Sequence, residues 1–283
     1  MSTDHHDVPA PTLPAAPIDV RLVAVDMDGT LLDADGEVPA GFWPLLEEMT
    51  RRGIVLVPAS GRQYATLRDV FGDTAAGMGF IAENGTLVAY RGEVLATDTL
   101  PREIVTDVVA TVRELAAHRN LGVVVCGVSS AYIERTDAPF RAEVDTYYHA
   151  LAEVDDLLTV EEDVLKCALF DFDDAEHGVY PHLSRFSDSQ VVVSGRHWID
   201  IMNPTVHKGS GLERLTELLG LRREQTVAFG DYLNDLQLLQ AAGTSFAMAN
   251  AHPDIIAVAD HVAPSHVEQG VITVLRSLLS PKP

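Results

Sequence analysis

Val20-Arg21-Leu22-Val23-Ala24-Val25-Asp26-Met27-Asp28-Gly29-Thr30 reads as a mostly apolar strand that stops abruptly in two carboxylates, a glycine and a hydroxyl. An apolar run with no polar alternation suits a strand buried on both faces, as in a parallel sheet covered by helices. The same shape recurs along the chain. Ile54 to Val57 ends in Pro58-Ala59-Ser60-Gly61-Arg62, Phe80 to Ala82 ends in Glu83-Asn84-Gly85, and Thr226 to Phe229 ends in Gly230-Asp231. Helical patterns are expected over 43–52 and 63–71, and over 211–219, where Leu212, Leu215, Leu218 and Leu219 share one side. Strands alternating with helices imply an α/β fold built on a doubly wound, mostly parallel, Rossmann-like sheet. Ligands of such sheets bind beyond the carboxyl ends of the strands, where every one of these polar clusters falls, so the motifs are expected to meet in one crevice.

The middle of the chain has a different texture. Helices are expected over 103–118, 138–148 and 175–186, and strands over 123–126, 131–134, 164–172 and 190–193. Roughly 100 residues of this mixed pattern are too many for a loop. The organisation expected is a core domain of residues 18–89 and 194–283, with an inserted α+β domain at 90–193. Residues 1–17 hold four prolines, no lysine or arginine and no apolar run, and are expected to be a disordered tail. His5 and His6 are read there as solvated side chains rather than a metal pair.

Composition narrows the function. Of 283 residues 47% are hydrophobic, enough for a sizeable core, and no apolar run reaches the ~18 residues that a membrane span needs. Lysine and arginine number 20 against 42 acidic residues, a formal charge of −22. That field repels nucleic acid and anionic lipid, so neither is an expected partner. It would also repel a phosphate ester, unless a divalent cation intervenes locally. Cys126 and Cys167 form no CxxC pattern, which suits reduced thiols and a cytoplasmic protein better than a disulfide framework.

Two carboxylates spaced two apart leave a strand on one side. At the mouth of an apolar sheet they are costly unless they bind a cation or share a proton. A carboxylate such as Asp26 can also attack phosphorus, splitting one hard step into two. Asp28 could protonate the leaving alcohol and later deprotonate water. In Gly230-Asp231-Tyr232-Leu233-Asn234-Asp235, Asp231 and Asp235 face the same way on an opening helical turn. Carboxylates with few basic neighbours suit Mg²⁺, although a helix N-cap with an acidic first turn fits that segment equally well. Ser60 lies between a strand and a helix, where a hydroxyl and backbone N–H groups hold phosphate. Lys208 opens the leucine-patterned helix.

Asp26 to Thr30 as DxDGT, Ser60 in PASGR, Lys208 before a helix and Gly230 to Asp235 as GDxxND together resemble the haloacid dehalogenase-like hydrolases, specifically Cof-type phosphatases with a large inserted cap (type IIB-like). Glu83-Asn84-Gly85 resembles the ENG stretch these proteins carry before the cap. The resemblance implies that Asp26 is the nucleophile and Asp28 the general acid and base. It implies Mg²⁺ held by Asp26, the Asp28 carbonyl and Asp231, with Asp235 in support, and a phosphoryl group held by Ser60, Gly61, Lys208 and Asn234. The substrate implied is a small phosphorylated metabolite, a sugar phosphate or similar, hydrolysed through an aspartyl-phosphate. A phosphomutase shares all these motifs; a non-catalytic phosphate-binding module would be expected to lose one of them. Asp28 argues against a dehalogenase. Candidate selectivity residues in the cap are Tyr147, His149, Lys166 and Asp173, with Arg62 and His207 nearer the motifs.

Overall fold

The computed structural model describes residues 10–280. In chain order the strands are β1 Leu22–Val25, β2 Val55–Pro58, β3 Gly79–Ala82, β4 Leu87–Tyr90, β5 Glu93–Thr97, β6 Leu121–Gly127, β7 Ala131–Ile133, β8 Leu151–Glu153, β9 Val164–Asp171, β10 Gln190–Val193, β11 Trp198–Met202, β12 Thr226–Gly230, β13 Thr244–Met248 and β14 His261–Ala263. The α-helices are α1 Trp43–Arg51, α2 Tyr64–Phe71, α3 Arg102–Ala116, α4 Ala138–Tyr147, α5 Lys208–Leu218, α6 Leu236–Ala241, α7 Pro253–Val258 and α8 Gly270–Leu279. The chain divides into two compact units, one formed by the residues up to Pro58 and from Leu212 onward, the other by Ala59–Gly211.

The first unit is the parallel sheet that the apolar runs called for. Its strand order is β14-β13-β12-β1-β2, every neighbour parallel. Leu22, Val23, Ala24 and Val25 are all buried, which explains why β1 carries no polar alternation. Helices α1 and α8 pack together, as do α6 and α7, and these pairs clothe the sheet. Chain order runs outward from β1 to β2 on one side and from β12 through β14 on the other. The switch point therefore lies between β1 and β12, where Val25 pairs with Phe229. The residues that follow, Asp26 and Gly230-Asp231, leave the sheet side by side. Thr12, within the stretch expected to be a disordered tail, donates its backbone N–H to the Val262 carbonyl at 2.9 Å. His5 and His6 lie outside the described residues.

The second unit holds two sheets. One has the order β10-β11-β9-β6-β7-β8, antiparallel except for the β7–β8 pair. Alternate residues of β6 explain its uninterrupted apolar run. Val123 and Val125 pack with Val105, Val108, Val109 and Val112 of α3, while Val124 and Cys126 pack with Phe140 and Val144 of α4. Both cysteines are buried free thiols. The sheet continues through β11 to Met202, beyond the Val193 boundary expected for the insertion.

The other sheet is β3-β4-β5, wholly antiparallel. β3 was expected beside the other parallel strands. Its main partner is instead β4, because a tight turn at Glu83-Asn84-Gly85 folds the chain straight back; a single parallel bridge joins Ala59 to Ile81. The helix expected over 175–186 also forms only in part, as a short 3₁₀ stretch at Tyr180–Phe186. Gly178 weakens its start, and Pro181 lacks the N–H that a continuing α-helix needs.

Candidate active site

The first unit gathers Asp26, Asp231 and Asp235, with one carboxylate oxygen of each within 4.8 Å of the others. After β1 the backbone makes one wide turn, closed by Leu31 N–H to Asp26 O (3.2 Å) and Leu32 N–H to Met27 O (2.9 Å). This turn leaves Asp26 6% exposed and Asp28 exposed. Asp235 is fully buried, and its Oδ2 accepts the N–H groups of Asp231 (3.0 Å) and Tyr232 (3.2 Å). The helix-cap reading of this segment is realised: Asp235 caps the turn that presents Asp231. Thr30 donates its hydroxyl to Asp231 Oδ1 at 3.1 Å.

Gly29 has φ +80°, and a Cβ built there would lie 2.3 Å from Asp231 Oδ2. Only glycine lets the backbone pass this close to the carboxylate. Asn250, after β13, donates Nδ2 to Gly29 O (2.8 Å) and approaches Asp231 Oδ2 at 3.5 Å, while its Oδ1 accepts from His266 N–H. Three carboxylates this close repel one another unless a cation lies among them. An all-oxygen donor set of this kind fits a hard divalent ion such as Mg²⁺.

In the second unit Ser60 is buried, 2% exposed, just beyond the end of β2. Its N–H donates to Ile81 O (2.9 Å), its carbonyl accepts from Asn84 N–H (2.9 Å), and its Oγ accepts from Arg62 N–H (3.1 Å). A Cβ on Gly61 would touch the Asn84 side chain at 3.2 Å. Lys208 is fully buried at the first residue of α5. The segment before it is fixed by His207 and Ser210. His207 Nδ1 accepts from Ser210 N–H (2.9 Å), and Ser210 Oγ donates to His207 O (2.7 Å). The His207 ring is thus used as a helix cap. Asn234 lies half-buried in the turn before α6.

The proposed selectivity residues fare variously. Lys166 is 1% exposed and lies between Glu83 Oε2 (2.8 Å) and Asp200 Oδ1 (3.0 Å). His149 Nδ1 lies 2.7 Å from Asp69 Oδ2, and the Tyr147 ring meets Trp198 edge-on beneath the Arg62 guanidinium. Asp173 donates its N–H to Asp171 Oδ1 in a turn. Sequence reasoning gave no role to Thr30, Asn250, Glu83 or Asp200. The signal for the Lys166 cluster was present: a lone charge inside each of the apolar runs Val164–Leu169 and Trp198–Met202 has to be paired. Asn250 follows a strand with no comparable mark.

The family model described as haloacid dehalogenase-like hydrolase matches residues 23–275. The chain is 36% identical over 265 residues to 5-amino-6-(5-phospho-D-ribitylamino)uracil phosphatase YbjI of Escherichia coli K12, covering 92% of this chain and 96% of that protein. It is 27% identical to the HMP-PP phosphatase of Cronobacter sakazakii, over 86% and 89% of the two chains. A Streptococcus mutans crystal structure superposes with a TM-score of 0.84 at 26% identity, covering 93% of this chain and all (100%) of the other.

Proposed function

We propose that this chain, which belongs to the haloacid dehalogenase-like hydrolases, is a phosphatase that hydrolyses a small phosphorylated metabolite in the presence of Mg²⁺ and carries the phosphoryl group transiently on Asp26. The observation that carries the reading is the gathering of Asp26, Asp231 and Asp235 at the β1/β12 switch point.

Asp26, Asp231 and Asp235, with the Asp28 carbonyl, are the groups assigned to hold the ion. Bound there, Mg²⁺ neutralises charge on the phosphoryl oxygens and offsets the repulsion of a chain at −22. The Asp26 carboxylate attacks phosphorus, and the bond from phosphorus to the substrate's alcohol oxygen breaks. Asp28 gives its proton to that oxygen. It then takes a proton from water as the water oxygen attacks phosphorus, the bond to Asp26 breaks and orthophosphate leaves. The exposure of Asp28 suits a group that exchanges protons with solvent, while the burial of Asp26 suits a nucleophile stripped of water. Ser60, Gly61, Lys208 and Asn234 are assigned to the phosphoryl oxygens, a task of positioning and charge neutralisation.

Residues 90–193 are assigned to an inserted cap between core segments 18–89 and 194–283, with β11 continuing the cap's sheet to Met202. The cap selects the leaving group. The Escherichia coli relative's substrate, a phosphorylated sugar alcohol joined to a heterocycle, is the first class to try. Two buried free thiols support a cytoplasmic setting, and among the described residues no helix is long and apolar enough to cross a membrane. Orthophosphate release from a panel of sugar, sugar-alcohol and nucleotide monophosphates, with Mg²⁺ and with chelator, tests the reading. Magnesium-dependent release from at least one member is expected. Release unaffected by chelator, or phosphate passed only to another sugar hydroxyl, would overturn it.

A further inference from the structure

Lys166 Nζ lies against three oxygens from three separate segments: it donates a hydrogen bond to the Gly61 carbonyl and ion-pairs with the Glu83 and Asp200 carboxylates, while neither Glu83 oxygen has a hydrogen-bond partner among the described residues. The distances are 2.8 Å to Glu83 Oε2, 3.0 Å to Asp200 Oδ1 and 2.8 Å to the Gly61 carbonyl. Lys166, Glu83 and Asp200 are each at most 2% exposed. Asn84 completes the cluster by donating Nδ2 to Asp200 Oδ2 at 2.6 Å. Burial works against the ammonium, but the carboxylates of Asp200 and Glu83 hold it charged well above the ordinary lysine range. Burial pushes the Glu83 carboxyl up, against the pull of Lys166.

The cluster holds a strained piece of backbone. Glu83 (φ +49°) and Asn84 (φ +57°) are consecutive non-glycine residues in the left-handed region. A glutamate there is uncommon and persists only where its surroundings impose it. The turn is clamped to the segment after β2 by Glu83 N–H to Arg62 O (3.1 Å) and Asn84 N–H to Ser60 O (2.9 Å). Lys166 on β9 and Asp200 on β11 thus fix, through one buried charge, the loop that carries Ser60.

We propose that Lys166 is a positioning residue: its bond to the Gly61 carbonyl, braced by Glu83 and Asp200, holds Ser60-Gly61 in the conformation that grips the transferring phosphoryl group. The inference rests on the phosphatase reading above. A purely structural ion cluster would contribute to stability alone; a positioning device also sets affinity for a phosphoryl mimic.

Two variants separate these roles. Glu83→Gln keeps the Lys166–Gly61 bond. Glu83→Gln/Lys166→Met removes it while leaving the cluster at one net negative charge, as in the wild type. Inhibition by orthovanadate against p-nitrophenyl phosphate turnover, and hydrogen exchange at the Arg62 and Asn84 amides, are compared across the three proteins. Relative to Glu83→Gln, the double variant is expected to bind orthovanadate about tenfold more weakly and to exchange those amides about tenfold faster, the size of one lost charge-assisted hydrogen bond. Should the methionine form not fold, Glu83→Gln/Lys166→Gln, which leaves Asp200 a polar partner, is read the same way. Equal orthovanadate affinity in both variants, or unchanged amide exchange, overturns the proposal alone. Wild-type protein that neither turns over p-nitrophenyl phosphate nor is inhibited by orthovanadate overturns the phosphatase reading, and this inference with it.

Discussion

Gly29 and Gly36 share nearly the same backbone angle, φ +80° and +77°, but a Cβ on Gly29 would lie 2.3 Å from Asp231 Oδ2, whereas one on Gly36 meets nothing within 4 Å. Replacing each with alanine separates a conformational cost from a displaced carboxylate. Holding a non-glycine residue in the left-handed region costs about 1 kcal/mol, and Gly36→Ala should lose that much stability and nothing more. Gly29→Ala incurs the same cost and also forces Asp231 to move, because a Cβ cannot approach an oxygen so closely. Asp231 also accepts from Thr30, so its shift disturbs two contacts. A Mg²⁺ dissociation constant raised at least tenfold is therefore expected for Gly29→Ala, about 1.4 kcal/mol of lost binding. Urea unfolding gives the first quantity and calorimetric Mg²⁺ titration the second. Gly29→Ala with wild-type Mg²⁺ affinity would refute the reasoning, as would Gly36→Ala with affinity weakened to the same degree.

Asn250→Ala should weaken Mg²⁺ binding by about tenfold with little loss of stability, since Asn250 is exposed and acts by orienting Gly29 O and Asp231; calorimetry and thermal unfolding without metal check both halves. The Arg113 guanidinium, assisted by Leu157 N–H, holds the Glu134 carboxyl below the usual glutamate range. Its contribution is present above that range and is lost as pH falls through the lowered value. Glu134→Gln should therefore cost about 1 kcal/mol at neutral pH, and unfolding curves of the two proteins should converge in strong acid.

What could be read in advance follows the range of the forces involved. The parallel sheet and its strand-end carboxylates were legible because each is a local pattern: four buried apolar residues, then acids that a sheet mouth tolerates only for a reason. The sheet to which β3 belongs was not legible. Its Phe-Ile-Ala run suits either neighbour, and the decision is made by the turn at Glu83 to Gly85. Asn250 was invisible because its contacts reach from the end of β13 to the Gly29 turn, a closeness that the topology creates. Lys166 lies between these cases. Its burial was implied by the apolar residues around it, but its partners come from distant turns and strands, and the residue was read as one facing the substrate. The failed helix before Phe186 had a local cause in Gly178 and Pro181 that the apolar pattern outweighed.

The claim on which the account turns is that phosphorus is carried by Asp26. Acid quenching of the enzyme during turnover of p-nitrophenyl phosphate, followed by hydroxylamine treatment and peptide mass analysis, tests it directly. A phosphoryl increment is predicted on the peptide containing Asp26 before hydroxylamine and a hydroxamate in its place afterwards. Both should depend on Mg²⁺ and be absent from Asp26→Asn, which should also lose turnover. Turnover that persists in Asp26→Asn, or an increment on a different peptide, would contradict it.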